Sequence, residues 1–234
     1  MDWLYGRQVV RCVLAPGARR RAHRLAATPA AFEDLASAVP VAGVEQHLVD
    51  ARELERLTGS RDHQGVAVLV GDYPYVSPDE LAQEGVIVVL DEVTDPRNVG
   101  AVARCVLASG GDGLVLPRHR SAAITPAAAK ASAGATERIR IAHVTNVASF
   151  LTDLKKRDFW VYGAAGEADT SFVDLDYSGK VALVFGSEGR GLRPLVARTC
   201  DKLAAIPMSG GPVDSLNVSV AAALFLFEAR RRRS

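Results

Sequence analysis

The chain has 234 residues, 48% hydrophobic and 24% charged, which is ordinary for a soluble globular protein and enough for one large domain or a small and a medium one. A formal net charge of +1 excludes nucleic-acid binding through overall basicity, so any such binding needs clustered charge. The first residues lack a basic-then-apolar signal segment, and no apolar run approaches the ~20 residues that span a bilayer, so we expect no membrane association.

Residues 1–72 alternate helical and strand-like patterns, which predicts a small αβαβαβ unit. The first predicted helix has one apolar stripe, formed by Leu4, Val9, Val10, Val13 and Leu14. A second helix is predicted at 29–38, and a third runs from a cap at Asp50 to Leu57, with Gly59 as its stop. Strands are predicted at 24–28, 43–48 and 65–70.

A linker is predicted at residues 73–85, because this part of the chain contains two prolines and lacks the hydrophobic periodicity of a helix or a strand. Residues 86–234 predict a second, larger α/β unit. Its continuously apolar runs are typical of buried parallel strands and lie at 86–91, 113–116, 159–163, 181–185 and 203–206. Helical patterns separate them, at 98–109, 124–134, 146–157, 191–199 and 215–230. We therefore expect a parallel sheet with helices on both faces.

The stretch from Leu90 to Gly111 carries the first candidate chemistry. Asn98 is a favourable helix N-cap and Gly110 a favourable stop, so a helix follows the strand at 86–91. Arg104 lies well off the buried stripe of that helix. It could hold a phosphate or carboxylate with two hydrogen bonds, or it could be a solvated helix arginine.

The second candidate stretch, V-F-G-S-E-G-R-G-L at 184–192, takes a strand into three glycines. It matches neither the dinucleotide-binding pattern G-x-G-x-x-G nor a phosphate-binding P-loop. Glu188 within it could accept a hydrogen bond from a ligand, or it could be a carboxylate favoured by the dipole of the following helix.

The third candidate stretch, from Leu203 to Arg230, predicts a strand, a glycine loop at 210–212 and a helix. Ser215 and Asn217 are favourable N-caps, and the apolar run that follows predicts a helix buried on most sides. The loop could bring backbone groups close to a ligand, or be an ordinary turn before a core helix. Because all three stretches follow predicted parallel strands, they can converge on one crevice.

Basic residues cluster at 19–24, 118–120 and 230–233, and each cluster is either a solvated face or a contact for nucleic acid. Cys12, Cys105 and Cys200 are scattered and lack C-x-x-C spacing, so we expect reduced cysteines in a cytoplasmic protein and no disulfide framework. The five histidines lack metal-ligand spacing, so we expect no metal site.

Three motifs carry a resemblance to a known family: N-x-G-A-x-x-R at 98–104, G-S-E-G-x-G at 186–191, and I-P-M-x-G at 206–210 running into S-L-N-V-S-V-A-A at 215–222. In order and separation they resemble the motifs of the SpoU (TrmH-like, SPOUT superfamily) RNA ribose 2′-O-methyltransferases. Tyr5-Gly6 and His63-Gln64-Gly65 are similar to the subfamily that methylates a guanosine ribose of 23S rRNA. The resemblance therefore covers essentially the whole chain.

The resemblance implies a fold and partners that pattern alone does not supply. In this family the C-terminal segment threads through a loop to make a deep trefoil knot, an exception to unknotted chains. The resemblance also implies S-adenosylmethionine bound in the knot, a homodimer with the site at its interface, and ribosomal RNA as substrate. The front domain is similar to a small α/β RNA-binding domain.

The resemblance also implies roles for individual residues. The implied catalytic and RNA-positioning set is Asn98, Arg104, Glu188, Ser215 and Asn217. The implied cofactor contacts are Gly163, Gly186, Ile206, Met208, Leu216 and Asn217. The expected RNA-binding arginines are Arg19, Arg20, Arg21, Arg24 and Arg104. Asp214 departs from the family pattern, where relatives often have a small polar residue.

The motifs contain no histidine or lysine to act as a general base. A guanidinium is very hard to deprotonate, so we expect Arg104 to clamp a phosphate and stabilise the developing alkoxide, while Ser215 and Asn217 orient the hydroxyl. Two alternatives remain open. One is a methyltransferase of the same family that acts on another rRNA or tRNA nucleotide, including the antibiotic-resistance type; the other is a non-catalytic RNA chaperone with the same fold.

Overall fold

The computed structural model describes residues 1–41, 43–83, 85–210 and 215–233. The first 70 residues form a four-stranded sheet, in the order β1-β4-β2-β3, with three helices. Its strands are β1 (Asp2–Tyr5), β2 (Ala22–Ala27), β3 (Glu45–Leu48) and β4 (Val66–Val70). Its helices are α1 (Arg7–Leu14), α2 (Pro29–Ala38) and α3 (Ala51–Thr58). As predicted, Asp50 caps α3 and Gly59 ends it with a φ of 66°.

Leu4 is the first difference from the sequence prediction, because it lies in β1 and not in a helix. β1 pairs antiparallel with β4, which places Leu4 beside Val68. Gly6, with a φ of 98°, separates β1 from α1. Leu4 nevertheless packs in the same core as Val9, so a strand and a helix together satisfy the apolar pattern that predicted one helix.

The predicted linker packs against the larger sheet. Tyr73 is buried, and its hydroxyl donates to the Thr136 carbonyl at 2.7 Å. The Val76 amide donates to Ile141 at 2.9 Å, which extends the sheet edge by one bridge. The segment then enters a short helix, α4 (Pro78–Leu81), with Ser77 in a capping box. The residue at which one domain ends and the next begins stays a prediction.

The larger sheet has six strands in the order β10-β8-β9-β5-β6-β7, and every pairing is parallel. Its strands are β5 (Val86–Asp91), β6 (Gly113–Pro117), β7 (Arg140–Val144), β8 (Phe159–Ala164), β9 (Lys180–Gly186) and β10 (Lys202–Ala204). Its helices are α5 (Pro96–Ser109), α6 (Pro126–Ala131), α7 (Val147–Lys155), α8 (Pro194–Thr199) and α9 (Val218–Arg233). Apolar cores lie on both faces, so the predicted α/β architecture is confirmed.

β7 was not predicted, because Arg140 and His143 interrupt its apolar residues. It is an edge strand of the sheet, and among the described residues its outer side is paired only through the bridge to Val76. An edge strand tolerates the polar residues that a central strand excludes.

α9 packs against the sheet and α5 through Phe225 and Leu226, which are almost completely buried. The expectation that its apolar run is buried on most sides holds except along one face. Val220, Leu224 and Phe227 are 46%, 39% and 47% exposed and lie on one helix face. Among the described residues, no helix is long and apolar enough to cross a membrane.

Candidate active site

The three candidate stretches meet at the carboxyl edge of the larger sheet. β5 and β9 are central neighbours, and their register places Asp91 beside Gly186. β10 lies on the other side of β8, with Leu203 beside Gly163. Because the strands are parallel, the chain segments that leave β5, β9 and β10 all emerge at this edge.

Three side chains from these separate stretches form a closed hydrogen-bonded group. The Asn98 amide donates to Glu188 Oε1 at 3.0 Å. The Asn217 amide donates to the same oxygen at 2.6 Å and to Asn98 Oδ1 at 3.0 Å. Glu188 and Asn217 are exposed and Asn98 is half-buried, so the group can be reached from solvent. We call Asn98, Glu188 and Asn217 the polar triad.

Helix capping orients one member of the polar triad. Asn217 Oδ1 accepts from the Ser219 amide at 2.9 Å and the Ser219 hydroxyl at 2.6 Å, as an N-cap of α9 does. Because the carbonyl end of the side chain faces α9, its NH₂ end faces Glu188 and Asn98. Asn217 therefore caps α9, as one of the two residues predicted for that role.

Asn98 does not cap α5, contrary to the sequence prediction. The cap is Asp95, whose carboxylate accepts from the Arg97 amide at 2.8 Å, and Pro96 occupies the first helical position. Asn98 lies in the first turn, so its side chain is available for the polar triad. Gly110 ends α5 as predicted, with a φ of 78°.

Two glycines allow the close packing of this edge. A Cβ atom on Gly186 would lie 2.0 Å from the Gly191 carbonyl carbon, because the loop at 187–191 folds back over the end of β9. A Cβ atom on Gly163 would lie 2.7 Å from side-chain carbons of Leu192 and Leu203. A larger residue at position 186 would displace the loop that carries Glu188, whereas one at position 163 would have to push aside the side chains of Leu192 and Leu203.

A buried carboxylate that the sequence analysis did not single out fixes the other end of this loop. Asp91, at the end of β5, is fully buried and accepts from Arg193 through the backbone amide at 2.9 Å, Nε at 2.8 Å and Nη2 at 2.6 Å. This pairing raises the pKa of the Arg193 guanidinium, chiefly through the hydrogen bond to Asp91. The signal in the sequence that could have identified Asp91 is its position as the single charged residue at the end of the apolar run V-I-V-V-L-D.

Arg104 lies apart from the polar triad of the same chain. It is six residues beyond Asn98 on α5, which is about 9 Å along the helix and about 120° around it. Its side chain is exposed and makes no hydrogen bond or ion pair within the described ranges. The structure therefore brings three of the five predicted catalytic residues together and leaves Arg104 on another face.

The predicted cofactor contacts lie at or near the same sheet edge. Ile206 and Leu216 are half-buried, whereas Met208 is 39% exposed. Within the described chain, the backbone of residues 206–210 makes no hydrogen bond. Ser215 is exposed and has an interaction partner. The loop residues Gly211 and Pro212 and the atypical Asp214 lie outside the described residues.

The first basic cluster divides into buried and exposed arginines, which corrects the prediction for Arg20. The Arg20 guanidinium makes two hydrogen bonds to Glu137, at 2.6 and 3.0 Å, and both side chains are fully buried. Arg20 therefore joins the two sheets and is not accessible to RNA. Arg19 donates to the Pro74 carbonyl at 3.1 Å, Arg24 pairs with Glu45, and Arg21 is exposed.

The third basic cluster secures the end of α9. Arg231 and Arg232 pair with Glu228, and these bonds lower the pKa of that carboxyl to about 2. Arg230 and Arg233 donate to backbone carbonyls of other segments. Among the described residues, no group of three or more histidine, cysteine, aspartate or glutamate side chains could hold a metal ion.

Two families match the chain in adjoining segments. The SpoU rRNA Methylase family matches residues 85–227, and the family described as RNA 2′-O ribose methyltransferase substrate binding matches residues 3–76. A 23S rRNA (guanosine-2′-O-)-methyltransferase, RlmB, of Xylella fastidiosa is 42% identical over 199 residues, which cover 82% of this chain and 80% of the relative.

An uncharacterized tRNA/rRNA methyltransferase of Mycobacterium ulcerans is 42% identical over 191 residues, covering 79% of this chain but 61% of the relative. The chain thus spans about three-fifths of the mycobacterial protein. The AdoMet-bound rRNA methyltransferase of Sinorhizobium meliloti superimposes with a TM-score of 0.81 at 26% identity, over 98% of this chain and 87% of that one.

Proposed function

The chain belongs to the SpoU rRNA methylase family, and from this premise we propose that it transfers a methyl group from S-adenosylmethionine to a ribose 2′-hydroxyl of structured RNA, specifically a guanosine of 23S rRNA. The name of the Xylella relative supports the choice of nucleotide. The observation that carries the proposal is the polar triad, because it joins one residue from each of the three motifs at one sheet edge.

The carboxyl edge of the larger sheet fits the adenosyl and methionyl parts of S-adenosylmethionine. The backbone groups of 206–210, which make no hydrogen bond with the described residues, offer donors and acceptors, and Ile206, Met208 and Leu216 offer apolar contact. Gly163 and Gly186 keep the adjoining strand ends free of side chains. When bound, the cofactor supplies an electrophilic sulfonium methyl group. The protein's own task is then to position the ribose.

The polar triad holds the ribose hydroxyl by hydrogen bonds. Glu188 Oε1 already accepts from two amides, and its second oxygen can accept from the ribose. Ser215 orients the attacking hydroxyl directly, and Asn217, whose amide hydrogens are both used within the triad, orients it by holding Glu188 in place. Positioning of this kind contributes about 7–11 kcal/mol to a two-substrate reaction, so the absence of a strong base among the motif residues does not prevent catalysis.

Arg104 clamps an RNA phosphate and stabilises the alkoxide that develops as the ribose hydroxyl releases its proton to solvent water while its oxygen takes the methyl group. Because Arg104 projects away from the polar triad of its own chain, we assign it to the site of a partner protomer. The exposed apolar face of α9, at Val220, Leu224 and Phe227, supports a homodimer. α9 packs beside α5, which carries Arg104: the Cys105 thiol donates to the Ser219 carbonyl, and Arg230 donates to the Ala108 carbonyl.

A deep trefoil knot accounts for the path of the C-terminal segment. β10 is the strand at one edge of the sheet, yet α9 packs on α5, above the centre. The described residues on either side of 211–214 therefore lie at an edge of the sheet and above its centre, which is the arrangement that the proposed knot requires. A crystal structure in which residues 205–217 pass outside that loop would contradict the knot.

The unit at 1–72 binds the RNA through accessible basic residues, for which the exposed Arg21 and Arg24 and the half-buried Arg19 remain candidates. Its match to a substrate-binding family supports this role. Ribosomal RNA as substrate, together with three free cysteines in the described chain, supports a cytoplasmic location.

The test is methylation of unmodified 23S rRNA by the purified full chain with radiolabelled S-adenosylmethionine, followed by primer-extension mapping. We expect one guanosine ribose to be modified, and Asn217→Ala to abolish the signal. Modification of another rRNA nucleotide, or of tRNA only, would favour the alternative substrates. RNA binding without detectable S-adenosylmethionine binding in calorimetry would favour a non-catalytic chaperone.

A further inference from the structure

The second basic cluster, Arg118-His119-Arg120, is exposed and is not part of the candidate active site. Arg118 directly follows β6, and its backbone amide donates to the Val144 carbonyl of β7 at 2.9 Å. The guanidinium of Arg118 and the ring of His119 make no hydrogen bond or ion pair with the parts of the chain that the structure describes. Their hydrogen-bonding groups are available to a ligand.

Arg118 stands at the mouth of a cavity of about 320 Å³ between β7, α4 and α7. Polar groups line this cavity, including His143, Asn146 and Ser149. The His143 ring is held by stacking on Tyr75, with ring centroids 3.7 Å apart. Burial, and secondarily the charge of Arg118, lowers the pKa of His143, so its ring is neutral at pH 7. A volume of this size accommodates one nucleotide.

Acidic side chains in the cavity are already paired. Asp79 accepts from Arg157, and Asp153 accepts from Lys156 at 2.8 Å. Arg118, by contrast, has no acidic partner in the described chain. The uncompensated charge at the mouth is therefore positive, which fits a phosphodiester group.

The loop at 118–120, which carries the second basic cluster, contacts neighbouring segments of the chain. Arg120 pairs with Glu92 at 3.3 Å, and the Ala122 amide donates to Val93 at 3.1 Å, so the loop is joined to the segment that leads into α5. On its other side, the Tyr75 ring behind His143 lies 4.9 Å from Tyr73, which is adjacent to Arg20.

We propose that the ends of β6 and β7 form a second RNA-binding site, in which Arg118 and His119 bind a backbone phosphate and the cavity receives the adjoining unpaired nucleotide. This inference rests on the proposed function, because it takes the same RNA as ligand. Arg118 sets electrostatic affinity, whereas the cavity, with His143 as one wall, holds the base by stacking and hydrogen bonds.

The electrostatic part is tested by filter binding of unmodified 23S rRNA to the full chain over a series of salt concentrations. The logarithm of the binding constant falls linearly with the logarithm of the salt concentration. Loss of one phosphate contact makes this slope about one unit less steep and lowers the RNA affinity about fivefold near 0.15 M salt. We expect this for Arg118→Ala but not for Arg118→Lys, which keeps the charge. Arg198→Ala is the matched control, since Arg198 is also exposed and makes no interaction within the described chain. Equal slopes for Arg118→Ala and Arg198→Ala would overturn the proposal.

The cavity is tested with Ser149→Trp, because the exposed Ser149 side chain can be enlarged while its backbone amide keeps the bond to Asn146. We expect RNA affinity to fall at least about fivefold with an unchanged salt slope, as for loss of one stacked base. Wild-type affinity would show that no nucleotide enters. Calorimetry with S-adenosylmethionine separates the two proposals. If the wild type binds S-adenosylmethionine but Arg118→Ala and Ser149→Trp bind RNA normally, only the proposal of a second site is refuted. If the wild type does not bind S-adenosylmethionine, the proposed function is refuted.

Discussion

Replacing Glu137 by alanine tests whether the buried pair with Arg20 holds the two sheets together. The two hydrogen bonds, at 2.6 and 3.0 Å, connect the segment before β2 to the turn at 135–137 that precedes β7. At a separation of about 3 Å and an effective dielectric constant of about 20, the Coulomb attraction is about 5 kcal/mol. Removing one partner leaves a buried charge without compensation, which typically costs about 3–5 kcal/mol.

We therefore expect Glu137→Ala to lose about 3–5 kcal/mol of unfolding free energy, a large part of the 5–15 kcal/mol typical of a folded protein. The measurement is urea unfolding followed by circular dichroism. The double variant Arg20→Met with Glu137→Leu removes both charges, so it should recover most of the loss. Glu53→Ala, which breaks an exposed pair with Arg56, is the control and should leave the midpoint nearly unchanged.

A loss below about 1 kcal/mol for Glu137→Ala would refute the reasoning, because it would mean that water reaches the Arg20 guanidinium. A double variant no more stable than the single one would also count against it. In that case, lost packing and not the unpaired charge would explain the effect.

Three further substitutions test the candidate active site. Arg104→Lys should lower kcat at least about tenfold while S-adenosylmethionine affinity in calorimetry is unchanged, because lysine cannot make the two-bond phosphate clamp; near-full activity would contradict the clamp. Asp91→Asn should lower kcat more than it raises KM, since the loop bearing Glu188 loses its charged anchor at Arg193; a pure KM effect in steady-state kinetics would argue against a positioning role. Gly186→Ala should weaken S-adenosylmethionine binding at least about tenfold, because the added Cβ meets the Gly191 backbone at 2.0 Å. The control Gly166→Ala, at a position with open space around it, should bind the cofactor normally. Equal cofactor binding by the two variants would refute the close packing at Gly186.

Local chemistry made much of the fold predictable. The apolar runs of β5 and β9 are buried on both faces, so their composition alone distinguishes them from surface strands. Asp50, Gly59 and Gly110 act through side chains or backbone angles within a few residues of themselves, so their roles as caps and stops were also predictable.

Positions that depend on a distant partner were not predictable in this way. β7 was not predicted because its polar residues are tolerated only at a sheet edge. No local sequence pattern indicates the order of the strands, and therefore which strand lies at an edge. α9 looked buried because its sequence is apolar all round, but whether a second surface covers Val220 and Leu224 depends on other parts of the molecule.

The sequence by itself selected the candidate site residues, since Asn98, Glu188 and Asn217 stand in three motifs of fixed order and spacing. Only the tertiary structure decided that these three meet while Arg104 faces elsewhere, because side-chain direction follows from helix rotation and from which loops share a sheet edge. The same holds for the arginines at 19–24, which look alike in sequence. Burial against Glu137 makes Arg20 a structural residue, whereas Arg21 remains exposed to solvent.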